Sequence, residues 1–140
     1  KPIQVIIPKI IPFLQYPAET VRRDALAAIF QYIQPFPAII QSNMDSIMAG
    51  IFKLTGDPNK QVRKYVCNCF VQLVERPEYL RPQFNNIVEY MIVCTSDVQD
   101  ENFALEACDF WNSIAESNFK DLHQSLIPFL PKYVHKKKNN

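Results

Sequence analysis

A hydrophobic pattern with a period of 41 residues constrains the fold of this chain more than any other feature of its sequence. The recurring apolar columns are Ile6, Ile47 and Val88; Val21, Val62 and Phe103; Ala25, Val66 and Ala107; and Ile29, Phe70 and Trp111. Because several columns share one spacing, chance does not account for them. A period of about 40 residues predicts an array of stacked structural repeats.

Each period contains two apolar stripes with spacings of three and four, the spacing of one face of an α-helix. A short breaker, such as Gly56-Asp57-Pro58, separates the two stripes. Each period is therefore predicted to form a first helix (A), a tight turn and a second helix (B). The predicted helices cover 3–15, 18–34, 37–55, 58–75, 77–95, 99–116 and 120–135.

The residues at the helix ends suggest how the helices begin and bend. Asp57 is predicted to cap a B helix with Pro58 at its first position, and Asp97 or Asp100 to cap the next B helix. Pro8 and Pro12 fall inside the first A helix, which we expect to be kinked or split there.

Paired helices with this period are typical of HEAT and armadillo repeats, and the scarcity of glycine favours HEAT. The B helices also open with Val-Arg, a HEAT-like feature, at Val21-Arg22 and Val62-Arg63. The arginine can reach an aspartate in the turn of its own or a neighbouring repeat, and such pairs would form a ladder along the stack. Asp57 and Arg63 are its expected members. Ala104 interrupts it in the third repeat.

The predicted fold class is thus an all-α superhelix, or solenoid, of about three and a half HEAT repeats. One domain is expected at 1–135, with repeats at roughly 1–35, 36–76 and 77–118 and an incomplete repeat at 119–135. Residues 136–140 are predicted to be a polar tail or a truncated loop. Neither end provides a polar cap, so the sequence is expected to be a piece of a longer array.

Composition excludes several classes of function. The formal charge of +1 gives no broad field for nucleic acid or an anionic membrane, and no apolar run is long enough to span a bilayer. The four cysteines do not form metal-binding pairs, so no metal or cofactor is predicted. They are interpreted as free thiols in a reducing compartment, the cytosol or nucleus. No catalytic motif supports an enzyme, although a helical enzyme with a cysteine nucleophile is retained as an alternative.

One stretch is more specific than the repeat. Residues 86–91 and 99–111, together with Val62-Arg63-Lys64-Tyr65-Val66-Cys67, closely resemble the transportin (karyopherin-β2) family of the importin-β superfamily, in its amino-terminal half. The family has Val at the place of Phe103 and Glu at the place of Asp109, and Tyr65 is also a departure. Weaker similarity extends over nearly all of the chain. A generic HEAT scaffold, such as a phosphatase regulatory subunit, would share the repeat but not residues 86–111.

The resemblance implies a receptor that shuttles between cytoplasm and nucleus and carries cargo proteins through nuclear pores. It also implies three kinds of partner: Ran GTPase in its GTP form, cargo with nuclear localisation signals bound mostly outside this stretch, and Phe-Gly nucleoporins. The stretch itself is expected to be scaffold, with part of a Ran-facing concave surface.

The B helices are predicted to line that concave face. Four polar residues on them are candidate contacts for a basic partner surface: Asn68, Gln72, Glu106 and Asp109. The alternative is an ordinary solvated helix face, which any surface helix needs. Aromatic residues at Phe36, Phe52 and Phe84 could border docking grooves for Phe-Gly segments, and Phe110 and Trp111 could be binding anchors. Core packing is the preferred interpretation of these aromatic residues.

Overall fold

The computed structural model describes residues 2–96, 99–117 and 120–129. Its α-helices are α1 (Pro2–Ile10), α2 (Glu19–Ile33), α3 (Ala38–Ser42), α4 (Met44–Lys53), α5 (Lys60–Leu73), α6 (Phe84–Thr95), α7 (Glu101–Glu116) and α8 (Lys120–Leu126). Short 3-10 helices cover Ile11–Gln15, Pro77–Tyr79, Arg81–Gln83 and Ile127–Phe129. Every regular element of the described ranges is helical, which confirms the predicted all-α class.

The chain divides into two compact units, residues 1–69 and 70–140, and the boundary falls within α5. In the first unit the 3-10 helix Ile11–Gln15 packs against α1, α2 and α4. The core side chains of this unit, all fully buried, include Ile7, Leu14, Leu26, Ile29, Ile47 and Ile51.

Gly50 permits a close packing contact in the first unit. A Cβ at this position would lie 2.7 Å from Cδ1 of the buried Leu14, so α4 approaches the 3-10 helix more closely than a larger residue would allow. A glycine inside a helix costs about 1 kcal/mol relative to alanine. The close contact explains why this position carries one.

In the second unit α6 packs against α7, and α8 contacts both. Its fully buried residues include Ile87, Val88, Ala107, Phe110, Ile114 and Leu122. Phe103, Ala107, Phe110 and Ile114 step by four, three and four along α7, which is the helical spacing of one buried face. The repeat column placed Trp111 on this face, but Trp111 is half-buried and Phe110 is the fully buried residue.

The predicted A helices are divided into shorter pieces. Pro8 lies inside α1, and a 3-10 helix containing Pro12 follows it, as expected for a split first A helix. The prediction of one continuous helix at 37–55 is wrong, because α3 ends at Ser42 and α4 begins at Met44. The one at 77–95 opens with 3-10 turns that contain Pro77 and Pro82. The predicted helix at 120–135 is helical to 129, and its remainder lies outside the described residues.

The capping predictions have different outcomes. Asp100 caps α7, because its carboxylate accepts a 2.9 Å hydrogen bond from the Phe103 amide. Asp97 lies outside the described residues. The assignment of Asp57 as a cap was wrong: α5 begins two residues later than predicted, and Asn59 accepts the Val62 amide at 3.1 Å. The Asp57 carboxylate instead accepts a 2.9 Å hydrogen bond from the Asn59 amide, and its oxygens can also accept hydrogen bonds from a residue distant in the sequence.

Candidate functional site

The four predicted contact residues lie on the expected B helices. Asn68 and Gln72 are half-buried on α5, Glu106 is half-buried on α7, and Asp109 is exposed one turn after Glu106. Asn68 belongs to the first unit and the other three to the second. Residues three apart on a helix are neighbours, so Glu106 and Asp109 place two carboxylates on one face of α7.

Glu106 carries an unusual oxygen. Its Oε2 is buried and has no hydrogen-bond partner among the described residues. Buried acceptors are nearly always satisfied in folded proteins, and each exception requires an explanation.

A cleft of about 380 Å³ lies in the second unit, where the carboxyl-terminal turns of α5 and α7 meet. It is lined by Val71, Gln72, Val74, Glu75, Ser113, Glu116 and Ser117. Only Gln72 of these residues was a predicted site residue. Sequence reasoning missed Glu75 and Glu116, although Glu75 lies only three residues after the predicted contact residue Gln72.

Hydrogen bonds fix one wall of this cleft. The Ser117 hydroxyl donates to the Ile114 carbonyl at 2.7 Å, and Nε2 of His123 lies 2.6 Å from the same carbonyl and 3.3 Å from the Ser117 Oγ. Since a carbonyl can only accept, Nε2 must carry the hydrogen. His123 on α8 therefore fastens the end of α7, a role that the sequence did not indicate.

Tryptophan and its neighbour pack inside the second unit. Phe110 is fully buried, and the half-buried Trp111 donates from Nε1 to the Thr95 hydroxyl at 2.8 Å. Thr95 in turn donates to the Met91 carbonyl at 2.7 Å. These contacts favour core packing over binding for both aromatic residues.

The three phenylalanines considered for grooves differ in exposure. Phe84 is buried, with 4% of its surface exposed, while Phe36 and Phe52 are half-buried. Phe84 is therefore unsuitable as the border of a docking groove. The other two remain candidates.

The first unit contains a largely buried ion pair between Arg22 and Asp57. Arg22 binds both carboxylate oxygens of Asp57, from Nε at 2.7 Å and from Nη2 at 3.2 Å, and the two side chains are only 14% and 4% exposed. Arg22 also donates to the carbonyls of Tyr16 and Pro17, each at 2.9 Å. Arg63, expected to pair with the carboxylate, donates instead to the Asp57 carbonyl at 2.6 Å. The ladder thus links the arginine of one repeat to the aspartate of the next.

Burial by itself would raise the pKa of the Asp57 carboxyl group. The hydrogen bonds from Arg22 and from the Asn59 amide, with the charges of Arg22 and Arg63, outweigh that effect and hold the pKa below its ordinary value. The Asp57 carboxylate is therefore charged at neutral pH. We interpret its ion pair with Arg22 as structural, since the hydrogen bonds of both side chains are made within the first unit.

A second ion pair links α8 to the 3-10 helix before α6. Arg81 binds Asp121 from Nε at 2.5 Å and from Nη2 at 3.3 Å, and both side chains are about half exposed. A cleft of about 350 Å³ beside it is lined by Arg81, Pro82, Gln83, Phe84, Asn85, Asn86 and Ser125. Because Asp121 neutralises the arginine, the described residues that line this cleft carry no uncompensated charge.

The cysteines are mostly interior. Cys67, Cys69 and Cys94 are buried and Cys108 is half-buried, all as free thiols. Burial raises the pKa of Cys69 to about 12, which disfavours a thiolate there. These surroundings argue against a cysteine nucleophile at Cys69.

Within 2–96, 99–117 and 120–129, no three His, Cys, Asp or Glu side chains are arranged to hold a metal ion. None of the helices in those ranges combines the length and apolar character needed to cross a bilayer.

Comparison with known proteins adds the family context. Residues 47–76 match the HEAT repeat family. Transportin-1 of Mus musculus is 40% identical over 136 residues, which cover 96% of this chain and 15% of that protein. Transportin of Dictyostelium discoideum is 36% identical over 127 residues, covering 89% of this chain and 14% of the relative. Importin subunit beta-2 of Schizosaccharomyces pombe is 36% identical over 135 residues, covering 96% and 14%. The chain therefore spans about one seventh of the length of these relatives.

Proposed function

This chain belongs to the transportin family as one segment, and we propose that it forms part of a nuclear transport receptor that carries cargo proteins through the nuclear pore under the control of Ran GTPase. The observation that carries the proposal is the 40% identity extending over 96% of the chain. Similarity confined to the repeat stripes would favour a generic HEAT scaffold instead. We place the segment in the amino-terminal half of such a receptor, shuttling between cytoplasm and nucleus.

The role proposed for this segment is mechanical and adhesive, without chemistry of its own. Its two units contain tightly packed helices held by buried apolar side chains and by the Arg22–Asp57 pair. Each repeat of such an array contacts only its neighbours, so small rotations add along the array. Binding in one part of a receptor can then alter another part.

Ran in its GTP form is the partner proposed for the polar face of the B helices. Glu106 and Asp109 offer two carboxylates on one face, and Oε2 of Glu106 lacks a donor among the described residues. Asn68 and Gln72 are half-buried polar residues on α5 and complete the proposed contact set. Cargo is proposed to bind mostly outside this segment, and Phe-Gly nucleoporins beside half-buried aromatic residues such as Phe36 and Phe52.

The test is binding of Ran, loaded with a non-hydrolysable GTP analogue or with GDP, to this chain and to the full-length receptor. We expect the full-length receptor to bind only the GTP-analogue form, and the double variant Glu106→Lys, Asp109→Lys to bind it more weakly. The matched control is Glu78→Lys, Glu89→Lys, which reverses two exposed carboxylates outside the B helices. If the full-length receptor ignores both forms of Ran, the receptor proposal fails. If only the control variant weakens binding, the assigned face is wrong.

A further inference from the structure

We propose that the cleft between the carboxyl-terminal turns of α5 and α7 binds an arginine or lysine side chain from a basic segment of a partner protein. This site is additional to the proposed Ran-contacting residues, with which it shares only Gln72. Its geometry lies entirely within the second unit, residues 70–140.

The shape and lining of the cleft fit a long cationic side chain. Its volume of about 380 Å³ is near the lower end of the range for ligand pockets, about 300–1,000 Å³. Val71 and Val74 supply apolar surface against which the methylene stem of lysine or arginine can lie. The oxygens of Gln72 and Ser113 can accept hydrogen bonds from the charged head.

The charge of the lining selects a cation. Glu75 and Glu116 are exposed and line the cleft, and no hydrogen bond or ion pair from a described residue engages either carboxylate. α5 ends at Leu73 and α7 at Glu116, so the negative ends of two helix dipoles add to the two carboxylates. Among the described residues that line the cleft there is no lysine, arginine or histidine, which disfavours a phosphate or a nucleic acid backbone.

The fixed wall makes the cleft a preformed one. Ser117 and His123 both bind the Ile114 carbonyl, so the end of α7 is held in place without a ligand. Preorganisation lowers the entropic cost of binding. A single arginine at a partly exposed site should nevertheless bind weakly, with a Kd on the order of 1 mM.

The experiment uses the 140-residue chain labelled with nitrogen-15 and a five-residue capped peptide, acetyl-Gly-Ser-Arg-Ser-Gly-amide. Its control peptide replaces arginine by citrulline, which keeps the shape and removes the charge. We expect the arginine peptide to shift the amide signals of Gln72, Glu75, Ser113 and Ser117, and the citrulline peptide to leave them unchanged. The variant Glu75→Gln, Glu116→Gln should bind the arginine peptide about tenfold more weakly, since two charge-assisted contacts are lost.

Glu78→Gln, Glu89→Gln is the matched control, because it removes the same charge from exposed positions that do not line the cleft. Its affinity should equal that of the unaltered chain. The spectrum of each variant reports directly whether it is folded. The proposal is overturned by equal binding of both peptides, by shifts located elsewhere, by unchanged affinity of the cleft variant, or by no shift at peptide concentrations up to about 10 mM. Because Ran is absent from this test, a negative result here does not affect the receptor proposal. A negative result in the Ran-binding test likewise does not affect the proposed cleft.

Discussion

Replacing Asp57 by alanine should destabilise the first unit by about 3 kcal/mol. Removing one partner of a buried ion pair usually costs about 3–5 kcal/mol, because the other charge stays buried without its counter-ion. The Asp57 side chain is 4% exposed and accepts three hydrogen bonds, two from Arg22 and one from the Asn59 amide. In the variant, the Arg22 side chain can still donate to the carbonyls of Tyr16 and Pro17, and it is 14% exposed to solvent. We therefore expect a loss of stability at the lower end of the range of about 3–5 kcal/mol.

Urea unfolding followed by circular dichroism measures the loss, and hydrogen exchange locates it. Amides at 16–24 and 57–63 should lose protection, since these segments meet at the ion pair. Asp57→Asn should have an intermediate effect, because the amide oxygen can still accept a hydrogen bond while the charge is lost. The double variant Arg22→Ala, Asp57→Ala should lose less stability than the sum of the single variants, as expected for residues in direct contact.

The exposed pair of the second unit supplies the control. Asp121→Ala removes an equivalent pairing with Arg81 at side chains that are about half exposed, and the urea midpoint should not change measurably. If Asp57→Ala and Asp121→Ala shift the midpoint equally, burial does not determine the strength of these pairs, and the reasoning is refuted.

Three further predictions concern pH, packing and the tryptophan. The pKa of Asp57 is lowered in the folded state, so its contribution to the free energy of unfolding is fully present above its unfolded pKa, about 3.9, and is lost as pH falls through the folded-state pKa. The difference in stability between the unaltered chain and Asp57→Asn, measured by urea unfolding, should therefore shrink below about pH 4. A difference that stays constant with pH would contradict this prediction. Gly50→Ala should destabilise the protein by about 1 kcal/mol, because the added Cβ would lie 2.7 Å from a buried leucine. Gly56→Ala should stabilise it by about 0.5 kcal/mol, because its Cβ would have nothing within 4 Å and the residue has no positive φ. Urea midpoints of the two variants that move in the same direction would refute the packing argument. Trp111→Phe should cost about 1 kcal/mol in urea unfolding by removing the 2.8 Å hydrogen bond to Thr95, and an unchanged midpoint would show that this bond contributes nothing net.

The candidate site was only partly accessible from the sequence. The repeat register placed Gln72, Glu106 and Asp109 on B helices, because helical position follows from apolar spacing. Glu75 and Glu116 were missed because Glu75 follows the last turn of α5 and Glu116 is the last residue of α7. At helix ends the apolar periodicity no longer assigns a residue to a face. A cleft formed by two helix ends depends on how those ends approach, which a one-dimensional pattern does not contain.

The sequence by itself determined the helical class, the repeat of 41 residues and the two candidates, Asp97 and Asp100, for the cap of α7, because these depend on patterns of residue type along the chain. The tertiary structure decided the partner of Asp57, the close approach of Gly50 to Leu14 and the role of His123. The first two of these join residues 35 and 36 positions apart, since Asp57 pairs with Arg22 and Gly50 meets Leu14. The spacing of residues along the chain determines which face of a helix is apolar. Which polar groups come together, and which are left without a partner, is decided only when one helix packs on another.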